Sequence, residues 1–224
     1  MRRLGQIPLL HQPGADWLYN TGSDILGVLL ARATGRSLPE LLAERIFAPL
    51  GMTDTAFFVP ADKVDRFCAY ARPGDDGSPH WADDHDVREL TMPAFPTGSG
   101  GLMGTIDDYW AFQRMLLADG SPLLSADAVR LMTTDHTTAA MRKSSALFLE
   151  GQGWGFGGSV DVDPIDVWNT VGRYGWVGGT GTSAHIIPAQ GTAAILLTQV
   201  EMSSPTPPAI MRDFWTYAAR RSGD

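Results

Sequence analysis

Lysine and cysteine are nearly absent from this sequence, and each scarcity closes a chemical route. A single cysteine, Cys68, leaves no partner for an intramolecular disulfide and names no oxidising compartment. The only lysines are Lys63 and Lys143, and the residues three positions before them are Pro60 and Ala140. A Ser-x-x-Lys pair, in which a lysine one helical turn away takes the proton of a serine nucleophile, is therefore absent. Positive charge is short overall. The 17 Lys and Arg stand against 25 Asp and Glu, a formal net charge of −8, and no basic cluster offers itself to nucleic acid or anionic lipid. Nothing approaches the roughly 20 apolar residues of a membrane span, and "MRRLGQIPLLHQPG" carries two arginines without a signal-peptide core. The chain as it stands is expected in the cytoplasm, with a small molecule as its partner.

What the 224 residues do have is 44% apolar content, enough for a real core. In "GSDILGVLLARATG", Ile25, Leu26, Leu29, Leu30 and Ala33 recur at helical spacing and Gly35 offers a left-handed stop, which predicts a buried helix over 22–34. "SLPELLAERIFAPLG" predicts a second helix, with Ser37 and Glu40 as a capping box and Pro39 in the first turn. Residues 52–100 are dense in turn formers and predict long loops with short strands at most. Helix resumes after Thr105, with Ile106, Tyr109, Phe112, Met115 and Leu116 on one face, and again after Ser125. Beyond Gly151 the period shortens: "QGWGFGGSVDV", "GRYGWVGGTGTSAHIIP" and "GTAAILLTQV" read as consecutive antiparallel strands. A last amphipathic helix places Ile210, Phe214 and Tyr217 on one face. Helices and loops over 1–150 followed by strands and a helix over 151–224 give an α+β fold, expected as one domain.

Candidate chemistry is sparse. Ser99 in "PTGSGGL" superficially resembles a nucleophile elbow, but Thr97 stands where that turn wants glycine, so a glycine-rich turn is the competing reading. "HWADDHD" gathers His80, Asp83, Asp84, His85 and Asp86, ligand types for a metal, but the run lacks helical His spacing and reads as a solvated acidic loop, so no metal site is expected. His11, His136 and His185 are isolated and read as structural. In "GWVGGTGTS", Gly178, Gly179 and Gly181 suit either an uncovered edge strand that binds an extended ligand or a bulged hairpin.

Together these segments resemble the serine β-lactamase and penicillin-binding-protein family, in its class C β-lactamase, DD-peptidase and esterase branch. The likeness rests on "QPGADWLYNTGSDILGVLLARATGRSLPELLAERIFAPLGM", "FPTGSGGLMGTIDDYWAFQRMLL", "GQGWGFG" and "YGWVGGTGTSAHIIPAQGTAAILLTQ", spread over residues 8–220. It implies an antiparallel sheet flanked by helices and a covalent acyl-enzyme mechanism on an amide or ester, without a cofactor. Tyr19 and Asn20 correspond to the family's Tyr-x-Asn element, a base and a substrate contact. They are adjacent here, so either both roles persist with one residue fewer or only Asn20 keeps its place. Trp176, Val177 and Gly178 occupy the family's third element, where Trp176 is reminiscent of esterase-like members, and Gly179 would supply an oxyanion-hole N–H. The family's Ser-x-x-Lys helix lies upstream of Tyr-x-Asn. That reading makes Met1 an internal methionine of a longer protein, with the N-terminal elements of the fold missing and a sheet edge and an apolar face left exposed. Three functions follow as expectations: a hydrolase whose nucleophile lies outside this chain, a ligand-binding module without catalysis, or a fragment that folds with a separate N-terminal piece.

Overall fold

The computed structural model describes residues 4–81 and 89–221. Asp83, Asp84, His85 and Asp86 of the acidic run lie outside the described residues. Helix α1, Thr21–Thr34, closes on Gly35 in the left-handed conformation, φ 68°. Ser37 then caps α2, Leu38–Leu42. Its hydroxyl accepts from the Glu40 N–H while the Glu40 carboxylate accepts from the Ser37 N–H. The chain continues through a π-turn, Ala43–Phe47, into α3, Ala48–Leu50, and stops at Gly51, φ 69°.

Helix α1 is not buried as its periodicity suggests. Only Gly27 is covered, and Ile25, Leu26, Leu29 and Leu30 are 38–58% exposed. The spacing of apolar residues says that a stripe seeks cover but cannot name what covers it. Here the helix touches the protein along its Gly27 edge alone. A Cβ on Gly27 would stand 3.0 Å from Leu38 Cδ2 and 3.3 Å from the Gly98 nitrogen.

Among its described residues the long loop region carries one short hairpin, β1 Ala71–Pro73 against β2 Pro79–Trp81. Thr105 caps α4, Ile106–Leu117, by accepting from the Asp108 N–H at 3.2 Å. Met115 and Leu116 of the expected face are buried, but Ile106 and Tyr109 are exposed. The first turn is held instead by the buried Asp108 carboxylate, which accepts from Asp54 N at 2.8 Å and Thr55 Oγ1 at 2.7 Å. Helix α5, Ala126–Met132, starts on Ser125 as the sequence indicates. Helix α6, Ala139–Ser144, capped by Thr138, was not legible.

Five antiparallel strands follow in sequential order: β3 Gln152–Trp154, β4 Ser159–Asp161, β5 Tyr174–Gly178, β6 Thr182–Ile187 and β7 Thr192–Leu197. Side chains alternate across the sheet. Val160, Tyr174 and Ile186 join Met115, Leu116 and Val129 in one core. On the other face Trp168 packs with Met211 and Trp215 of α7, Ala209–Arg221. The stripe of α7 that meets the sheet is thus Met211 and Trp215, while Ile210 and Tyr217 point outward. Among the described strands β7 pairs only with β6, so its outer edge is open along 192–197, as an exposed edge strand would be. Among the described residues no helix is long and apolar enough to cross a membrane.

Beneath α7 lies a buried polar cluster. Asp161 and Arg173 form an ion pair at 2.9 Å, with the guanidinium 4.9 Å and 4.8 Å from the Trp168 and Trp215 ring centres. Beside it His185 contacts Ser183 Oγ through Nδ1 at 3.2 Å, and Trp215 Nε1 donates to the same hydroxyl at 2.7 Å. Burial first, and then the Arg173 charge, push His185 well below the ordinary histidine value. As pH drops below about 6.5 the unfolded chain binds a proton that the folded chain refuses. Stability is therefore expected to fall by up to roughly 1.4 kcal/mol per pH unit. Urea midpoints followed from neutral to mildly acidic pH check this: the native slope should be steep, and the His185→Leu slope shallower.

Candidate active site

Tyr19 stands on neither helix nor strand. It ends a segment fixed from outside, where Ser144 Oγ donates to Asp16 Oδ1 at 3.0 Å and Ser145 Oγ donates to the Trp17 carbonyl at 3.1 Å. The next residue, Asn20, has φ 95° and ψ −80°, near the rare γ-turn basin and costly for any residue with a side chain. Its carbonyl accepts from Ser23 N at 3.1 Å, but its side chain makes no capping bond to α1. Strain of this kind survives only where the surroundings enforce it, and it concentrates at functional sites.

On the other side of α1's start, the turn at Thr97–Ser99 locks onto the helix. A Cβ on Gly98 would stand 2.2 Å from the Ser23 carbonyl, so only glycine allows this approach. Thr97 Oγ1 donates to Asp24 Oδ1. Ser99 lies on the surface with its hydroxyl 2.9 Å from that of Thr97, a partner that cannot act as a base toward it. Lys63, one of the two lysines, is held 2.6 Å from Asp54.

The sheet completes the site. Trp176 of β5 donates its Nε1–H to Tyr19 Oη at 2.7 Å, across 157 residues of sequence. Tyr19 stacks on Phe148 with centroids 4.7 Å apart and planes 22° from parallel. Trp154 meets Trp176 edge to face at 4.7 Å, and Trp17 lies 5.1 Å from Trp154. Trp154 is set by Asp135, which accepts from its backbone N–H at 3.0 Å. Burial raises the Asp135 pKa, but bonds from Thr137 and Trp154 and the Arg142 charge outweigh it and leave the carboxyl below its ordinary value.

β4 pairs with β5 only at Tyr174 and Gly175. Trp176, Val177 and Gly178 therefore pair with β6 alone, and their other edge is open among the described strands. Such an edge can take an extended ligand by main-chain bonds. The glycines divide between the two readings offered by the sequence: Gly178 ends the strand, whereas Gly179 and Gly181 form the hairpin turn. Gly181, at φ 84°, is required there, since a Cβ would stand 2.0 Å from the Val200 carbonyl.

The structure thus brings Tyr19 and Trp176 into contact, with Asn20 beside them and Gly178 along the same strand. Sequence reasoning missed Trp17, Phe148 and Trp154. Trp17 and Trp154 lay inside the quoted stretches "ADWLYN" and "GQGWGFG", but nothing in the sequence pointed to Phe148. The cluster is aromatic throughout and contains no cationic side chain. Chemically, it presents a phenol whose oxygen already accepts an N–H, leaving the phenolic proton available for transfer.

The model of the family described as Beta-lactamase matches residues 1–212. The chain belongs to the β-lactamase family. An uncharacterized protein of Mycobacterium tuberculosis (strain CDC 1551 / Oshkosh) is 36% identical over 211 residues, covering 88% of this β-lactamase-family chain and 52% of its own length. Esterase EstB of Burkholderia gladioli is 30% identical over 234 residues, with coverages of 92% and 56%. Unliganded simvastatin synthase (LovD) from Aspergillus terreus superposes with a TM-score of 0.81 at 25% identity, over 97% of this chain and 58% of that one. The chain spans about half the length of the curated relatives it matches. Family members similar to it carry esterase, acyltransferase and D-alanyl-D-alanine carboxypeptidase names.

Proposed function

We propose that this chain supplies the tyrosine base and the substrate-holding strand of a serine hydrolase that acts on an ester or amide through an acyl-enzyme. One observation carries the reading: the 2.7 Å bond from Trp176 Nε1 to Tyr19 Oη, between the two residues that we read as the family's second and third elements. Tyr19 would take the proton of the attacking hydroxyl as its own phenolic proton passes to the lysine of Ser-x-x-Lys, and would then protonate the leaving group, while Asn20 would touch the substrate. The open edge at Trp176–Gly178 would hold the substrate, and Gly179 would lend its N–H to the oxyanion. The aromatic rings around Tyr19 favour an ester with an apolar part over a highly charged substrate.

On this reading the nucleophile lies outside this sequence, which supports it in that neither lysine has a serine three residues before it. The chain alone therefore binds without turnover, and no cofactor enters the proposal. A polypeptide carrying Ser-x-x-Lys would complete the site. The exposed stripe of α1 and the open edge of β7 favour that reading over a self-sufficient binding module. Co-expression with such a polypeptide is the test. Gain of solubility together with hydrolysis of an activated ester supports the proposal. Ligand binding unchanged by the added piece, with no turnover, favours the binding module instead.

A further inference from the structure

Tyr19 sits beside a strained residue, outside regular structure, and 38% exposed, yet its ring is fixed. Trp17 and Trp154 each lie 6.0 Å from it, centre to centre, Trp154 edge-on, and two closer contacts orient it. Trp176 holds the oxygen, and Phe148 covers one ring face. Phe148 also meets Trp17 edge-on at 6.3 Å, so it wedges between the two aromatics that flank Leu18.

The loop that carries Phe148 is itself tied down along its length. Arg142 of α6 donates to Asp135 at 2.7 Å and to the Thr137 carbonyl at 3.1 Å. Ser144 and Ser145 bond back to Asp16 and the Trp17 carbonyl, Leu149 is buried, and Glu150 pairs with Arg212 of α7 at 3.0 Å. Asp135 also accepts the Trp154 N–H. One carboxylate therefore registers this loop against the strand whose tryptophan touches Trp176.

We propose that Phe148 is a positioning residue for the Tyr19 hydroxyl, and that the 144–148 loop sets where that hydroxyl points. The stack fixes the ring plane, and with the plane fixed only one rotamer brings Oη to Trp176 Nε1. Without it the ring turns about its side-chain torsions, the indole bond breaks, and Asn20 loses the restraint that maintains its backbone. The catalytic consequence rests on the reading of Tyr19 as a base. The positioning itself is a property of the folded chain and is measured without turnover.

The experiment is fluorine NMR of the chain labelled with 3-fluorotyrosine. The sequence has five tyrosines, and the Tyr19 line is assigned by its loss in Tyr19→Phe. Phe148→Ala is expected to shift and broaden the Tyr19 line while the other lines hold, and Trp176→Phe is expected to shift the same line. Phe148→Trp, which keeps an aromatic face without adding a sixth tyrosine, should restore the native width. If Phe148→Ala disturbs every line, Phe148→Leu decides, since it retains apolar bulk without a ring. A Tyr19 line that broadens alone and no longer responds to an added Trp176→Phe supports the proposal, and one that keeps its native width and that response overturns it. An unmoved, unbroadened Tyr19 line in Phe148→Ala also overturns it. A positive result beside an inactive co-expressed assembly would sink the proposed function and leave the positioning role standing.

Discussion

Replacing Asp161 by alanine is expected to lower the unfolding free energy by about 3–5 kcal/mol, the cost of leaving a buried partner charge uncompensated. Asp161 is 1% exposed, and both its oxygens are in use. Oδ1 accepts from Gln152 Nε2 at 2.7 Å and Arg173 Nη2 at 3.3 Å, and Oδ2 from Thr170 N at 3.0 Å and Arg173 Nε at 2.9 Å. Removing the carboxylate strands the Arg173 guanidinium between two indole rings and orphans a side-chain amide and a backbone N–H together. A typical domain has only about 5–15 kcal/mol in total, so the loss is a large share. Chemical denaturation of native and Asp161→Ala chains measures it. The paired replacement Asp161→Leu with Arg173→Met should recover the share due to the uncompensated charge and leave that of the Gln152 amide and the Thr170 N–H. A loss in Asp161→Ala below about 1 kcal/mol, the worth of an exposed pair, would show that the cluster is solvated.

Tyr19→Phe has the largest expected effect on activity. In the assembly with a Ser-x-x-Lys polypeptide, it should lower kcat for an activated ester by about 10²–10⁴-fold, the usual contribution of a positioned acid–base group. Only the hydroxyl is lost, so the stack on Phe148 and the fold are retained. KM should change little. Equal kcat in native and variant assemblies would show that Tyr19 is not the proton carrier and would return that role to the polypeptide that brings the serine.

Capping residues, helix stops and the strand meander were legible because they follow from local chemistry. Ser37, Thr105, Ser125, Gly35 and Gly51 all do what their residue types do at helix ends. Burial was less legible. α1 has the pattern of a core helix and an exposed face, and α7 buries Met211 and Trp215 with Phe214 packed beside them, while Ile210 and Tyr217 of the expected stripe are exposed. Periodicity ranks the faces of a helix by polarity but does not know which neighbour arrives. In the candidate site, Tyr19 and Trp176 were singled out by family resemblance as expectations, and their contact required the fold. Phe148 reaches Tyr19 across more than a hundred residues, set by α6 and the Asp135 hub, and no local pattern encodes such a meeting.

Reaction of the purified chain with a fluorophosphonate tests most directly the claim that it holds the base and substrate strand of an acyl-transfer site without its nucleophile. Intact-mass measurement is expected to show no adduct under conditions that label a complete serine hydrolase stoichiometrically. A stoichiometric adduct mapped to a serine of this chain, Ser99 foremost, would contradict the account.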